Sequence, residues 1–255
     1  MRPFFLCTRG DIHMLQKIGI AMVGLMVLAG TVVLALYQLE GRPLPEADAY
    51  LKGEGYTATV EDDGALVFTP ARPNGHGLLI MQGALVEPLA YAKTAAYFAA
   101  IGYTVYAPAG ALRLPINAIE GAAARMVRFG VGDWVVIGHS MGGFAALELM
   151  ARHAPPVKAL ALWASDVPGD FRNLQVPVLF IRGERDGLLT PERFEAVKAR
   201  LPPTVRYLTL PGGNHQGFGL YSHQLFDNPA STSADRQIDF ADDRSARFFV
   251  ANLDR

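Results

Sequence analysis

One serine, held between glycines in Gly138-His139-Ser140-Met141-Gly142, sits where a buried strand runs directly into a helix. No other stretch of the 255 residues restricts the fold as tightly. Residues 134–137 (Trp-Val-Val-Ile) are β-branched and aromatic and read as a short buried strand. Residues 144–150 (Phe-Ala-Ala-Leu-Glu-Leu-Met) read as a helix. Joining the two within so few residues takes a sharp turn, and the glycines stand where side chains would collide. The pattern predicts a nucleophile elbow, with Ser140 above a sheet at a helix N-terminus, where the backbone dipole favours developing negative charge. G-x-S-x-G alone is a weak signal; the strand before it and the helix after it give it weight.

A serine hydroxyl is a poor nucleophile until an imidazole takes its proton, so the chain must supply a base and an acid. In an elbow of this kind the partners follow in the order serine, acid, histidine. Residues 176–181 read as another buried strand, ending in the turn Arg182-Gly183-Glu184-Arg185-Asp186-Gly187. A helix is expected over residues 191–201, with Thr190 as its N-cap and Pro191 in the first turn. Residues 205–210 read as a strand, followed by the loop Pro211-Gly212-Gly213-Asn214-His215. His215 is the expected base and, later, the acid for the leaving group. Asp186 is expected to hold the imidazole in its tautomer, with Glu184 as the rival carboxylate. Both loops leave the carboxyl edge of the sheet, as the elbow does.

The remaining polar residues receive plainer readings. His139 is expected to pack, Asn214 to shape the loop around His215, and Glu87 to serve as a helix-start acid beside Pro88. His76, His153 and His223 read as loop or surface residues. The histidines are scattered and Cys7 is the only cysteine, so no metal and no cofactor is expected. The formal net charge of −1 provides no basic footprint for nucleic acid.

Upstream, residues 56–60 and 65–69 flank Glu61-Asp62-Asp63-Gly64 as a β-hairpin. A strand over 78–81, a helix over 91–100, a strand over 103–106, a helix over 116–129 and a strand over 157–163 then alternate around the elbow. This alternation predicts an α/β fold, a mostly parallel central sheet with helices on both faces. Only residues 164–175 separate two successive strands, where a lid would sit. A minimal lid implies an open site and a small or exposed acyl substrate. Phe218-Gly219-Leu220-Tyr221 either walls that site or packs the loop.

Together with the elbow, four segments resemble the α/β-hydrolase superfamily, in its small dienelactone-hydrolase-like branch. They are Gln82-Gly83-Ala84-Leu85-Val86-Glu87-Pro88, Leu162-Trp163-Ala164-Ser165, the turn at 182–187, and Gly212-Gly213-Asn214-His215. The resemblance runs from about Gly75 to the C-terminus. It implies a Ser140–Asp186–His215 triad and an oxyanion hole from the backbone N–H groups of Met141 and Ala84, with Leu85 the alternative to Ala84. Many lipases carry His-Gly where this chain has Gln82-Gly83, a change that a backbone donor tolerates. The activity implied is that of a serine esterase working through an acyl-enzyme on a small-molecule acyl substrate. Thioester, amide and carbon–carbon cleavage use the same elbow. A non-catalytic binding or scaffolding domain on the same fold is the other class.

The N-terminus carries a separate signal. Residues 18–37 hold no charge over 20 positions, enough to cross a bilayer as one helix. The expected organisation is a cytoplasmic segment over 1–17, a transmembrane signal anchor over 18–37, a linker over 38–54, and a hydrolase domain over 55–255. Arg2, Arg9 and Lys17 precede the apolar run, a bias that leaves the catalytic domain extracytoplasmic. A signal peptide cleaved after Val27-Leu28-Ala29 is the alternative, and it places the domain in the same compartment. A domain free of cysteine suits that compartment.

Overall fold

A computed structural model describes residues 9–39 and 41–253, in two compact units that divide after Leu39. The first is a single helix, α1 (Arg9–Leu39). Within it, residues 16–35 are long and apolar enough to cross a membrane. The Thr31 hydroxyl donates to the Val27 carbonyl at 2.9 Å, so this polar group is satisfied within the helix itself.

The second unit is built on one eight-stranded sheet. Its strands are β1 (Tyr56–Val60), β2 (Leu66–Pro70), β3 (His76–Met81), β4 (Thr104–Ala107), β5 (Asp133–His139), β6 (Val157–Trp163), β7 (Val178–Gly183) and β8 (Arg206–Leu210). They lie in the order β1-β2-β4-β3-β5-β6-β7-β8. The first hairpin and the β2–β4 pair are antiparallel; every pairing from β4 onward is parallel. The helices are α2 (Ala92–Ala100), α3 (Ile119–Arg128), α4 (Met141–His153), α5 (Pro191–Lys198) and α6 (Ala234–Leu253). This is the expected mostly parallel α/β sheet.

Side-chain alternation along the strands divides the core into two layers. Leu78, Ile80, Val135 and Ile137 point to one face, where they meet Ala95 and Phe98 of α2 and Ala241 and Phe249 of α6. Leu79, Met81, Trp134 and Val136 point to the other, against Ala122 and Met126 of α3, Ala145 and Leu149 of α4, and Phe194 and Val197 of α5. Both faces of the parallel strands are covered, which is why they read as continuous apolar runs.

Several boundaries differ from the expected ones for local reasons. Pro88–Tyr91 and Pro115–Ala118 are 3₁₀ turns ahead of α2 and α3, each with a proline pre-setting its first residue. α5 stops at Lys198, short of 201; turn residues follow it up to Pro202, a residue that disfavours helix at the position before it. α6 is an addition to the elements expected from sequence. It buries Ile238, Ala241, Ser245 and Phe249, a stripe of helical spacing beneath a run of charged residues.

The expected linker over 38–54 is, from Gly41 onward, part of the domain. The Leu44 N–H donates to the Leu220 carbonyl at 3.0 Å, and Pro43 bridges Tyr221. The Ser222 N–H donates to Arg42 O at 2.8 Å, and the Glu87 N–H to Gly41 O at 3.2 Å. Pro45–Leu51 forms a 3₁₀ helix with Ala47 fully buried. The prolines and glycine that prevent an α-helix here permit a bridge and a tight turn instead.

Strand order reverses between β3 and β5: the chain leaves β3 toward β4 on one side, and β5 toward β6 on the other. Crevices that accept ligands open at the carboxyl ends of strands at such a switch point. Here those ends carry Gly83-Ala84 and Ser140.

Candidate active site

Ser140 has φ 54° and ψ −124°, a strained backbone for a residue with a side chain. The turn is held by its own hydrogen bonds, Ser140 N–H to Trp163 O at 2.9 Å and Gly143 N–H to Ser140 O at 3.1 Å. Strand and helix approach too closely for side chains at the flanking glycines. A Cβ on Gly138 would lie 2.5 Å from Gly143 Cα, and one on Gly142 would lie 2.1 Å from Met81 O. Ser140 is half-buried at the start of α4, and Met141 opens the helix, where first-turn N–H groups have no intrahelical acceptor.

The acid and the base come from the turns after β7 and β8. Nδ1 of His215 lies 3.0 and 3.1 Å from the two carboxylate oxygens of Asp186, and both residues are buried. Asp186 Oδ1 also accepts the N–H groups of Leu188 at 2.9 Å and Leu189 at 2.7 Å. A carboxylate surrounded by donors can only accept, so Nδ1 carries the proton of this contact, and in the neutral ring the lone pair then falls on Nε2. Nε2 is buried and has no hydrogen-bond partner among the described residues. Glu184 is placed elsewhere, its Oε2 accepting the Gly212 N–H at 2.9 Å.

Two residues that sequence reading passed over fix these turns. The Asp227 carboxylate accepts the N–H groups of Gly187 (2.9 Å), His215 (3.2 Å) and Gln216 (2.8 Å), tying the acid turn to the base loop. Gln237 of α6 takes the Asn214 N–H at 3.1 Å and donates to Asn214 O at 2.7 Å. Neither lies in a motif; only folding brings a residue of α6 to this loop. Asn214 shapes the loop as expected, accepting from Gly217 N–H at 2.8 Å and donating to Asn228 O at 2.9 Å.

Ser140 and His215 meet at the same sheet edge without a direct hydrogen bond among the described residues. They are linked through His139, whose Nε2 lies 3.1 Å from the His215 carbonyl oxygen. His139 therefore does more than pack: its Nδ1 is also engaged, 2.7 Å from the Tyr91 hydroxyl. Burial holds its pKa well below the usual histidine range, and the neighbouring His215 adds to that.

The turn after β3 completes the surroundings. The Val86 N–H closes onto Gly83 O at 3.3 Å, and the Gly83 N–H donates to the Tyr91 hydroxyl at 2.9 Å. The Leu85 N–H donates to Arg113 O at 2.8 Å, while Ala84 precedes it in the same turn. Glu87 stands at the start of the 3₁₀ turn Pro88–Tyr91, as expected, but its carboxylate makes no capping hydrogen bond. It pairs with Arg42 and, at 3.8 Å, with Arg113. Phe218 and Tyr221 are fully buried and pack the loop, with Phe218 stacked 5.7 Å from Trp163.

No helix spans residues 164–177 between β6 and β7. An apolar groove lined by Met126, Val127, Trp134, His153 and Pro155 lies at the opposite end of β5, away from Ser140. Among the described residues no cluster of three histidine, cysteine or acidic side chains is placed to hold a metal ion.

Comparison with known proteins agrees with this architecture. Solved structures share the fold at low identity, among them the following three. A putative non-heme bromoperoxidase, BpoC, from Mycobacterium tuberculosis H37Rv aligns with TM-score 0.55 and 16% identity, over 71% of this chain and 94% of that one. Naproxen esterase (carboxylesterase NP) from Bacillus subtilis aligns with TM-score 0.54 and 13% identity, over 80% and 94%. Est1E from Butyrivibrio proteoclasticus aligns with TM-score 0.55 and 14% identity, over 79% and 100%. No curated protein matches the sequence significantly. The family model described as "Alpha/beta hydrolase family" matches residues 77–239, a span that holds the elbow, the acidic turn at 182–187 and His215. The chain belongs to the alpha/beta hydrolase family.

Proposed function

We propose that the protein is a serine hydrolase of the carboxylic-ester type, with Ser140 as nucleophile, His215 as base and Asp186 as its partner. The observation that carries this reading is the buried Asp186–His215 pair, with Nε2 unengaged at the edge where the elbow emerges. Ser140 Oγ attacks the acyl carbonyl as its proton passes to His215 Nε2. The oxyanion forms against the Met141 and Ala84 N–H groups; Leu85 is disfavoured because its N–H is spent on Arg113. The C–O bond to the leaving alcohol then breaks, and the alkoxide takes the proton from Nε2. Water, deprotonated by the same nitrogen, attacks the acyl-enzyme, and collapse returns the acid and Ser140. Hydrogen bonds of this kind are often long before substrate binds, consistent with an unengaged Nε2. The esterases among the structural neighbours support ester chemistry, and the missing lid supports a small or exposed acyl group.

In this reading α1 is a signal anchor and the domain lies outside the cytoplasm, with cleavage after Ala29 as the alternative. A panel of acyl esters, thioesters and amides of increasing chain length tests the function. Ester hydrolysis that falls by about 10³-fold or more in Ser140→Ala is expected. Equal turnover by the variant overturns the assignment.

A further inference from the structure

His139 is the last residue of β5 and has no part in the proton transfers above, yet both of its ring nitrogens are occupied in a fully buried position. The partners settle the tautomer. The His215 carbonyl can only accept, so His139 Nε2 must carry a proton and donate to it at 3.1 Å. Burial keeps the ring neutral, so Nδ1 bears a lone pair and accepts the Tyr91 hydroxyl proton at 2.7 Å. The Tyr91 oxygen in turn accepts the Gly83 N–H at 2.9 Å. Every donor meets an acceptor along one chain: Gly83 N–H to Tyr91 O–H to His139 Nδ1, then His139 Nε2–H to O=C of His215.

This chain joins the three pieces of the site that lie far apart in sequence. Gly83 begins the turn after β3, His139 precedes the nucleophile, and His215 is the base. The space around it is filled: a Cβ on Gly83 would lie 3.2 Å from His139 Nδ1 and 3.4 Å from the Tyr91 hydroxyl. Phe218 closes it from the other side, 5.5 Å from the His139 ring. Removing the Tyr91 hydroxyl therefore leaves the buried Gly83 N–H and His139 Nδ1 without their partner.

We infer that Tyr91 and His139 are positioning residues: their relay sets the spacing between the oxyanion turn, Ser140 and the main chain of His215. The inference rests on the proposed Ser140–His215 chemistry. Neither side chain touches substrate. Their loss should act on the transition-state geometry and not on ground-state binding, so kcat falls while KM holds. Glutamine at 139 offers an amide oxygen to Tyr91 and an amide N–H to the His215 carbonyl, which leucine does not.

The test compares Tyr91→Phe, His139→Leu and His139→Gln with the wild type on an activated acyl ester, with circular dichroism and thermal unfolding to verify folding. Nitrogen-15 NMR of the wild-type His139 ring reads the tautomer without needing turnover. Expected is a kcat loss of about 10-fold in Tyr91→Phe and about 100-fold in His139→Leu, with KM within about 3-fold and most of the loss recovered in His139→Gln. The ring should be protonated at Nε2 and not at Nδ1. A folded Tyr91→Phe with wild-type kcat overturns the relay, as does a folded His139→Gln no better than His139→Leu, or a proton on Nδ1. A wild type with the stated tautomer but no esterase activity fails the proposed function instead, and removes the basis for a catalytic role of the relay.

Discussion

Asp186→Asn tests the acid by a change of one atom. Oδ1 of Asp186 accepts two backbone N–H groups, from Leu188 at 2.9 Å and Leu189 at 2.7 Å. The amide must keep its oxygen there, since an NH₂ would face two donors. Its nitrogen is then turned toward Nδ1 of His215, where the carboxylate lies 3.0 Å away in the native protein. Two donors cannot share that contact, so the imidazole moves its proton to Nε2 and accepts from the amide at Nδ1. The two backbone bonds and one bond to the imidazole survive, and the stability change should stay at about 1 kcal/mol. Nε2, however, no longer takes the Ser140 proton. The expected loss in kcat is about 10³ to 10⁴-fold, or roughly 4–5.5 kcal/mol of barrier. Steady-state kinetics on an activated ester, with urea unfolding of both proteins, measures the two quantities. A variant within tenfold of wild-type kcat refutes the argument. So does a larger loss in Glu184→Gln, because that side chain takes only the Gly212 N–H and its amide oxygen still accepts it.

Three other perturbations reach different parts of the molecule. Asp242 of α6 is buried, and burial holds its carboxyl well above the usual range, partly offset by a Thr94 hydrogen bond and Lys93. Its folded pKa exceeds the unfolded value of about 3.9, so its contribution is full below about pH 4 and is lost as pH rises toward the folded value. Asp242→Asn should flatten the decline of unfolding free energy above pH 4 in urea titrations; an unchanged slope contradicts this. A chain beginning at Gly41 should match full-length turnover. One beginning at Pro45 lacks the Gly41, Arg42 and Leu44 bonds to the turn after β3 and to residues 220–222, and should melt several degrees lower. Equal melting temperatures would show that the segment is not part of the domain. If α1 is an anchor, the protein should stay with membranes through carbonate extraction; a soluble extracytoplasmic form beginning at Gly30 points to cleavage instead.

Local signals carried most of the fold into view. The elbow, the alternating strands and the hairpin at 56–70 depend on neighbours in sequence, on period-2 alternation and on turn residues, and each formed within a residue or two of its expected place. The Asp186–His215 contact followed from chain order, and the rival Glu184 was separated from it only by the direction of a backbone turn. What stayed hidden depends on distant partners. His139 read as packing because its two hydrogen bonds come from residues 48 and 76 positions away. Asp227 and Gln237 lie in no motif: Asp227 acts from the loop ahead of α6, and Gln237 reaches Asn214 because α6 folds back to this loop. The segment after Gly41 looked like a linker by composition, since a β-bridge to Tyr221 leaves no local pattern.

The central claim is that Ser140 forms the acyl-enzyme. Mass spectrometry of the protein quenched early in the reaction with a slowly hydrolysed activated ester tests it most directly. One acyl group should appear on the intact chain, map to the peptide containing Ser140, and be absent from Ser140→Ala. Fluorophosphonate should label the same residue. An adduct on another residue, or equal labelling of wild type and variant, contradicts the account.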